Sequence, residues 1–162
     1  MSLLIENYEP YIQANGGLST NKPVVLGSSL TVTGTTTFTG SLIRTFNTVA
    51  VNATATLTAA QVTSSYITST SAAPVTMTLP TGTLLGAQVG AVQGTVMELF
   101  IDNTAGANTV TIAVATNGIK SDAANTTAAS FGQLTVASGA TGVGRFSIMF
   151  SSPTAYVFTR TA

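Results

Sequence analysis

A chain of 162 residues that is 44% hydrophobic and only 6% charged holds enough apolar material for one core and lacks the charge of a disordered chain, which argues against disorder of the whole despite its many Thr, Ser, Ala and Gly residues. Five basic and five acidic residues cancel to a net charge of zero, so no field draws in nucleic acid or a membrane surface, and little repulsion keeps copies apart. The absence of Cys and His removes disulfides, thiolate and imidazole metal ligands, and the commonest nucleophile and general base.

Residues 1 to 26 mix Tyr8, Tyr11, Glu6, Glu9, Lys22, Pro10 and Pro23 without helical or strand period. They read as an extended arm with a flexible joint at Gly16-Gly17. The opening Met1-Ser2-Leu3-Leu4-Ile5-Glu6 lacks a basic start and its apolar run is short, so a secretory signal is not expected. An extended arm cannot bury Leu3, Leu4, Ile5, Tyr8 and Tyr11, which makes them candidate anchors for a groove on another protein. A plain disordered tail is the alternative reading.

Residues 27 to 46 carry an internal repeat, Thr31-Val32-Thr33-Gly34-Thr35 returning as Thr37-Phe38-Thr39-Gly40-Ser41. Short glycine-punctuated strands have too few side chains to bury their own apolar face. Leu26, Leu30, Val32 and Phe38 therefore predict a stem completed by sister copies, three chains about a shared axis. The competing reading is an ordinary pair of short strands joined by a Gly turn.

From residue 47 to 162, Thr or Ser alternates with Val, Leu, Ile, Met or Phe almost continuously, the period of strands with one buried face. The candidates are 49–57, 66–71, 75–79, 96–101, 110–114, 133–137, 145–150 and 155–159. Asp102-Asn103-Thr104-Ala105-Gly106-Ala107-Asn108 reads as the loop of a hairpin between two of them, and Asn117-Gly118 as a further turn. Thr58 and Gln61 have capping-box spacing, which allows one helical turn; residues 123–130 stay open between helix and loop. Some eight short strands at regular spacing predict an all-β fold, an antiparallel sandwich of jelly-roll type, with no long helix.

Chemistry is sparse. Along an extended strand, Glu98 and Asp102 stand about 13 to 14 Å apart, beyond the roughly 5 to 9.5 Å that a glycosidase pair requires. Asp102, Asn103 and Asn108 could offer oxygens to a hard cation, but turn formation explains them better. Gly139-Ala140-Thr141-Gly142-Val143-Gly144 has neither the lysine nor the following helix of a phosphate loop. Between Arg44 and Glu98 no residue is charged, yet Thr, Ser, Gly and Pro break every apolar stretch before the about 18 residues of a membrane span. No catalytic residue, metal or other cofactor is expected.

The run Leu30-Thr31-Val32-Thr33-Gly34-Thr35-Thr36-Thr37-Phe38-Thr39-Gly40 resembles the stems of bacteriophage fibre and head-decoration proteins. The segments Val75-Thr76-Met77-Thr78-Leu79-Pro80, Asp102 to Ile112 and Phe146-Ser147-Ile148-Met149-Phe150 are similar in cadence to their distal β-domains. The likeness spans residues 27 to 162 and is one of composition, not of a diagnostic motif. It implies a homotrimer on the virion surface, its arm gripping a major capsid or other virion protein and its β-domain projecting. The repeat runs for only two units where long fibres have many, which favours a head fibre or capsid decoration. A tail-fibre or receptor-binding module touching host surface glycan, through loops such as 102–108 or 117–125, is the alternative.

Overall fold

The computed structural model describes residues 32–120 and 134–161. The chain divides into two units, residues 1–42 and 43–162. In the first, the described residues 32–42 form no strand, and Val32, Phe38 and Leu42 are 50%, 62% and 61% exposed.

The second unit is mostly β-strand. Its elements are β1 (Asn47–Ala50), β2 (Ala55–Thr56), α1 (Ala59–Thr63), β3 (Ser65–Thr68), β4 (Val75–Thr78), α2 (Gly82–Val89), β5 (Val96–Asp102), β6 (Val110–Ala113), β7 (Gly118–Lys120), β8 (Thr135–Val136), β9 (Val143–Ser152) and β10 (Ala155–Arg160). Six strands make one sheet in the order β1-β3-β5-β9-β10-β7, and four make another in the order β2-β4-β6-β8.

Three successive passes of the chain run from the first sheet to the second, and each stacks parallel on the one before. Thr48 lies beside Tyr66 and Tyr66 beside Phe100; Ala55 lies beside Met77, and Val75 beside Val110. The corners stack too: Thr70 N donates to Asn52 Oδ1 at 2.8 Å and Thr76 N to Thr54 Oγ1 at 3.1 Å. Side chains of the first pass thus satisfy amides that turn away from the ladder. Antiparallel pairing then closes the stack, β9 on β5, β10 on β9, and β8 on β6.

The all-β expectation holds, but two finer expectations do not. The sheets are mixed instead of antiparallel, because each strand pairs with its equivalent in the next pass. The predicted hairpin between residues 96–101 and 110–114 is absent, since β5 and β6 belong to different sheets. Alternation of side chains shows which face of a strand is buried but not which strand lies beside it. Similarly, the single run 49–57 turns a corner between Val51 and Thr54 and contributes β1 to one sheet and β2 to the other.

Inward side chains of both sheets share one core. Ile67, Met77, Leu79, Leu99, Ile101, Ile112, Phe146, Ile148 and Phe150 are buried, as alternation predicts, with Tyr156 and Phe158 beside them. The Phe146 and Phe158 rings stack at 4.9 Å between centroids, and Tyr156 donates its hydroxyl to Pro80 O at 2.9 Å. Burial pushes the Tyr156 phenol up to about 12.

The capping box forms around α1: Thr58 N donates to Gln61 Oε1 at 2.8 Å and Gln61 N to Thr58 Oγ1 at 3.2 Å. Helix α2, not expected from sequence, begins at the Thr81 cap and ends on Gly90 at φ 60°. A Cβ on Gly82 would strike Thr154 O, and one on Gly86 would strike Pro153 O. Glycine at these two positions lets the helix lie directly on the turn between β9 and β10. Residues 123–130 lie outside the described residues.

Candidate functional site

Residues at every second position of β3, β5, β9 and β10 point away from the core and tile the outer face of the six-stranded sheet. Their registry arranges them in rows across the strands. One row is Val96, Met149 and Val157; the next is Glu98, Ser147 and Thr159; a third is Tyr66, Phe100 and Arg145; the last is Thr68, Asp102 and Val143.

This face holds Arg44, Glu98, Asp102 and Arg145, four of the chain's ten charged side chains. Glu98 forms ion pairs with both Arg44 and Arg145. The Arg145 hydrogen bond foremost, and then that of Arg44, hold the Glu98 carboxyl below the usual carboxylate range. The Arg44 guanidinium lies 5.2 Å from the Phe46 ring centroid and that of Arg145 lies 5.8 Å from the Phe100 centroid, within cation–π range. The two rings are 5.5 Å apart. Segment 44–46 is therefore clamped across the outer face just before β1 begins.

Beside it, Tyr66 donates its hydroxyl to Asp102 Oδ2 at 2.7 Å, while Asp102 Oδ1 accepts from the Thr104 hydroxyl at 2.6 Å and from Thr104 N at 2.9 Å. The Thr104 hydroxyl most, and Tyr66 next, lower the Asp102 carboxyl; the same carboxylate raises the Tyr66 phenol.

The polar loop after β5 is used inside the fold. Asn103 is fully buried, and its Nδ2 donates to Asn108 O at 2.8 Å, Ala137 O at 3.0 Å and Val136 O at 3.1 Å. Its Oδ1 has no hydrogen-bond partner and faces Gly106, where a Cβ would collide with it. Asn108 Nδ2 donates to Ala72 O. Asp102, Asn103 and Asn108 thus hold the corner between the sheets. Among the described residues no three Asp, Glu, His or Cys side chains gather in a metal-binding group.

A concavity of about 610 Å³ opens between the end of β2, the start of α1 and the exposed side of α2. Leu57, Pro80, Leu84, Ala87 and Ala115 line it with Thr56, Thr58, Thr81 and Gln88. It has no charged or aromatic wall, and the Thr58 and Thr81 hydroxyls already cap their helices. The lining offers shape and apolar contact but no constellation for bond chemistry.

Of the residues singled out from sequence, Leu3, Leu4, Ile5, Tyr8, Tyr11, Leu26 and Leu30 lie outside the described residues. Val32 and Phe38 are described, and both are exposed. Sequence reasoning placed Glu98 and Asp102 along one strand but missed the cluster they build with Phe100. Arg145 joins through the antiparallel register of β9, and Arg44 through a chain crossing that no local pattern encodes.

Comparison with family models, with curated proteins and with solved structures finds no match to this chain.

Proposed function

We propose that this chain is a virion structural protein: a homotrimeric capsid decoration or head fibre, anchored to the shell through residues 1–26 and acting by binding, without catalysis. On this reading, residues 27–46 are a stem shared by three copies and the body is a β-sandwich that projects from the particle surface. The carrying observation is the state of the described stem residues. Val32, Phe38 and Leu42 are half or more exposed in a segment without a strand, whereas the body buries its large inward side chains almost completely. Val32 and Phe38, six residues apart and left exposed, are what a shared axis would bury. The stem's likeness to phage head fibres supplies the setting.

The competing reading, a tail-fibre or receptor-binding tip, asks loops to contact glycan. Asp102, Asn103 and Asn108 turn their polar groups back into the fold, which favours decoration.

Deleting residues 1–20 tests the anchor. The shortened chain is expected to remain a folded trimer by light scattering and to lose binding to particles. A shortened chain that still decorates particles, or a full-length chain that stays monomeric at high concentration, overturns the proposal. Copy number separates the two virion readings, since a decoration is present in tens to hundreds of copies and a tail tip in a few.

A further inference from the structure

The outer face of β5 and β9 is unusual for a solvent-facing sheet surface. Val96 and Met149, directly opposed across the two strands, are 58% and 49% exposed, and Val143 at the far end of β9 is 46% exposed. Val157 extends the first row onto β10. Large apolar side chains adjoining across three strands form a patch, which soluble surfaces rarely leave open without an interaction to cover it.

We infer that this face is the surface on which the bodies of sister copies pack against one another; the inference rests on the trimer reading and deepens it. Three observations select a second copy as the occupant. The chain enters the body across this same face, since Arg44 and Phe46 are held on Glu98 and Phe100, and Ile43 beside them is 87% exposed. Residues 43–46 are the last of the segment that the trimer reading assigns to a shared stem, so this face is continuous in the chain with that segment. The face carries two basic and two acidic side chains, Glu98 bound by both arginines and Asp102 by Tyr66 and Thr104, so it has no net charge to select a charged partner, and its threonines and valines suit an equally neutral surface. The size is consistent with a shared interface. Strands of four, seven, ten and six residues, at about 3.4 Å per residue and about 4.8 Å spacing, give a footprint on the order of 400 Å². That is about half of the roughly 800 Å² per partner of a stable interface, and the stem contributes the remainder.

The absence of Cys from the chain permits a direct test in the full-length protein. Single substitutions Val96→Cys and Met149→Cys report on the face, and Leu84→Cys and Val92→Cys report on apolar positions exposed elsewhere, at 61% and 64%. Maleimide labelling is followed on samples whose mass is measured by sedimentation. In the trimer, the two face positions are expected to react at least tenfold more slowly than the other two, and all four to react equally in denaturant. Met149→Glu is expected to dissociate the bodies and to restore fast labelling at Val96→Cys. Equal rates at all four positions in a chain that sediments as a trimer would overturn the interface while leaving the trimer standing. A chain that sediments as a monomer would overturn both.

Discussion

The side-chain nitrogen of Asn103 donates to the main-chain oxygen of Val136 at 3.1 Å, tying the corner after β5 to β8. The same amide reaches the part-buried Ala137 and Asn108 carbonyls, while its bond to Val136 is buried. Asn103→Ala is expected to lose about 2–3 kcal/mol, the cost of leaving the buried Val136 carbonyl without its donor and weakening the other two. Asn103→Asp should lose more, since it turns a carboxylate oxygen toward three carbonyl oxygens. Urea denaturation of both variants checks the order. An Asp variant as stable as wild type would show that the amide does not hold the corner.

Helix α2 rests on glycine. In an exposed helix, Gly→Ala gains about 1 kcal/mol, but a Cβ at Gly86 meets the Pro153 carbonyl and Phe150 at 3.4 Å. Gly86→Ala is therefore expected to destabilise by about 1–3 kcal/mol, as overpacked sites do. A stabilising effect in thermal unfolding would mean that α2 does not lie on the turn between β9 and β10.

These glycines also explain where sequence reasoning stopped. Gly82 and Gly86 lower the helix propensity of the segment after Leu79, and no helix is expected there from sequence. The inward faces of β4, β6 and β9 were legible because alternation follows directly from strand geometry. Their partners were not, because parallel stacking of Tyr66 on Phe100 depends on the length of an intervening corner and helix, not on either strand. The outer cluster was half legible: the i, i+2, i+4 spacing of Glu98, Phe100 and Asp102 sets them on one face, but nothing near Arg44 in sequence announces Glu98.

Val32 and Phe38 offer a test of the stem that leaves the body untouched. Replacing both with Asp places charge where an apolar axis is proposed, at a cost of several kcal/mol per unpaired buried charge. The expected result is loss of the trimer by light scattering while the thermal transition of the body persists. A mass unchanged from wild type would count against the shared stem.

Tyr156 predicts an alkaline limit. Its pKa of about 12 in the folded chain exceeds the value of about 10 for a free phenol. The folded state therefore keeps the proton where the unfolded state gives it up, so this stability is intact below pH 10 and drains away between about pH 10 and 12. This difference corresponds to roughly 3 kcal/mol. Tyr156→Phe should flatten that slope while losing about 1 kcal/mol at neutral pH, because Pro80 O forfeits its donor. Denaturation midpoints measured from pH 8 to 12 decide it, and an unchanged slope in the variant would refute the assignment.

Glu98 sets the acid side. Its folded pKa is depressed by Arg145 and Arg44, so its contribution is present above the ordinary carboxylate range of about 4 and is lost as pH falls through the depressed value. Asp102 is depressed too, by Thr104 and Tyr66, and contributes with the same sign, so wild-type acid sensitivity alone cannot assign the effect. The difference between wild type and Glu98→Gln can, because the variant retains Asp102. That difference should shrink as pH drops below 4. At neutral pH the variant has a local consequence as well. Without the carboxylate, Arg44 keeps only its stacking on Phe46, the clamp on segment 44–46 loosens, and trypsin should cleave after Arg44 several-fold faster while the core transition moves little. Equal cleavage rates would mean that the segment is held by the Phe46–Phe100 contact and not by the ion pair.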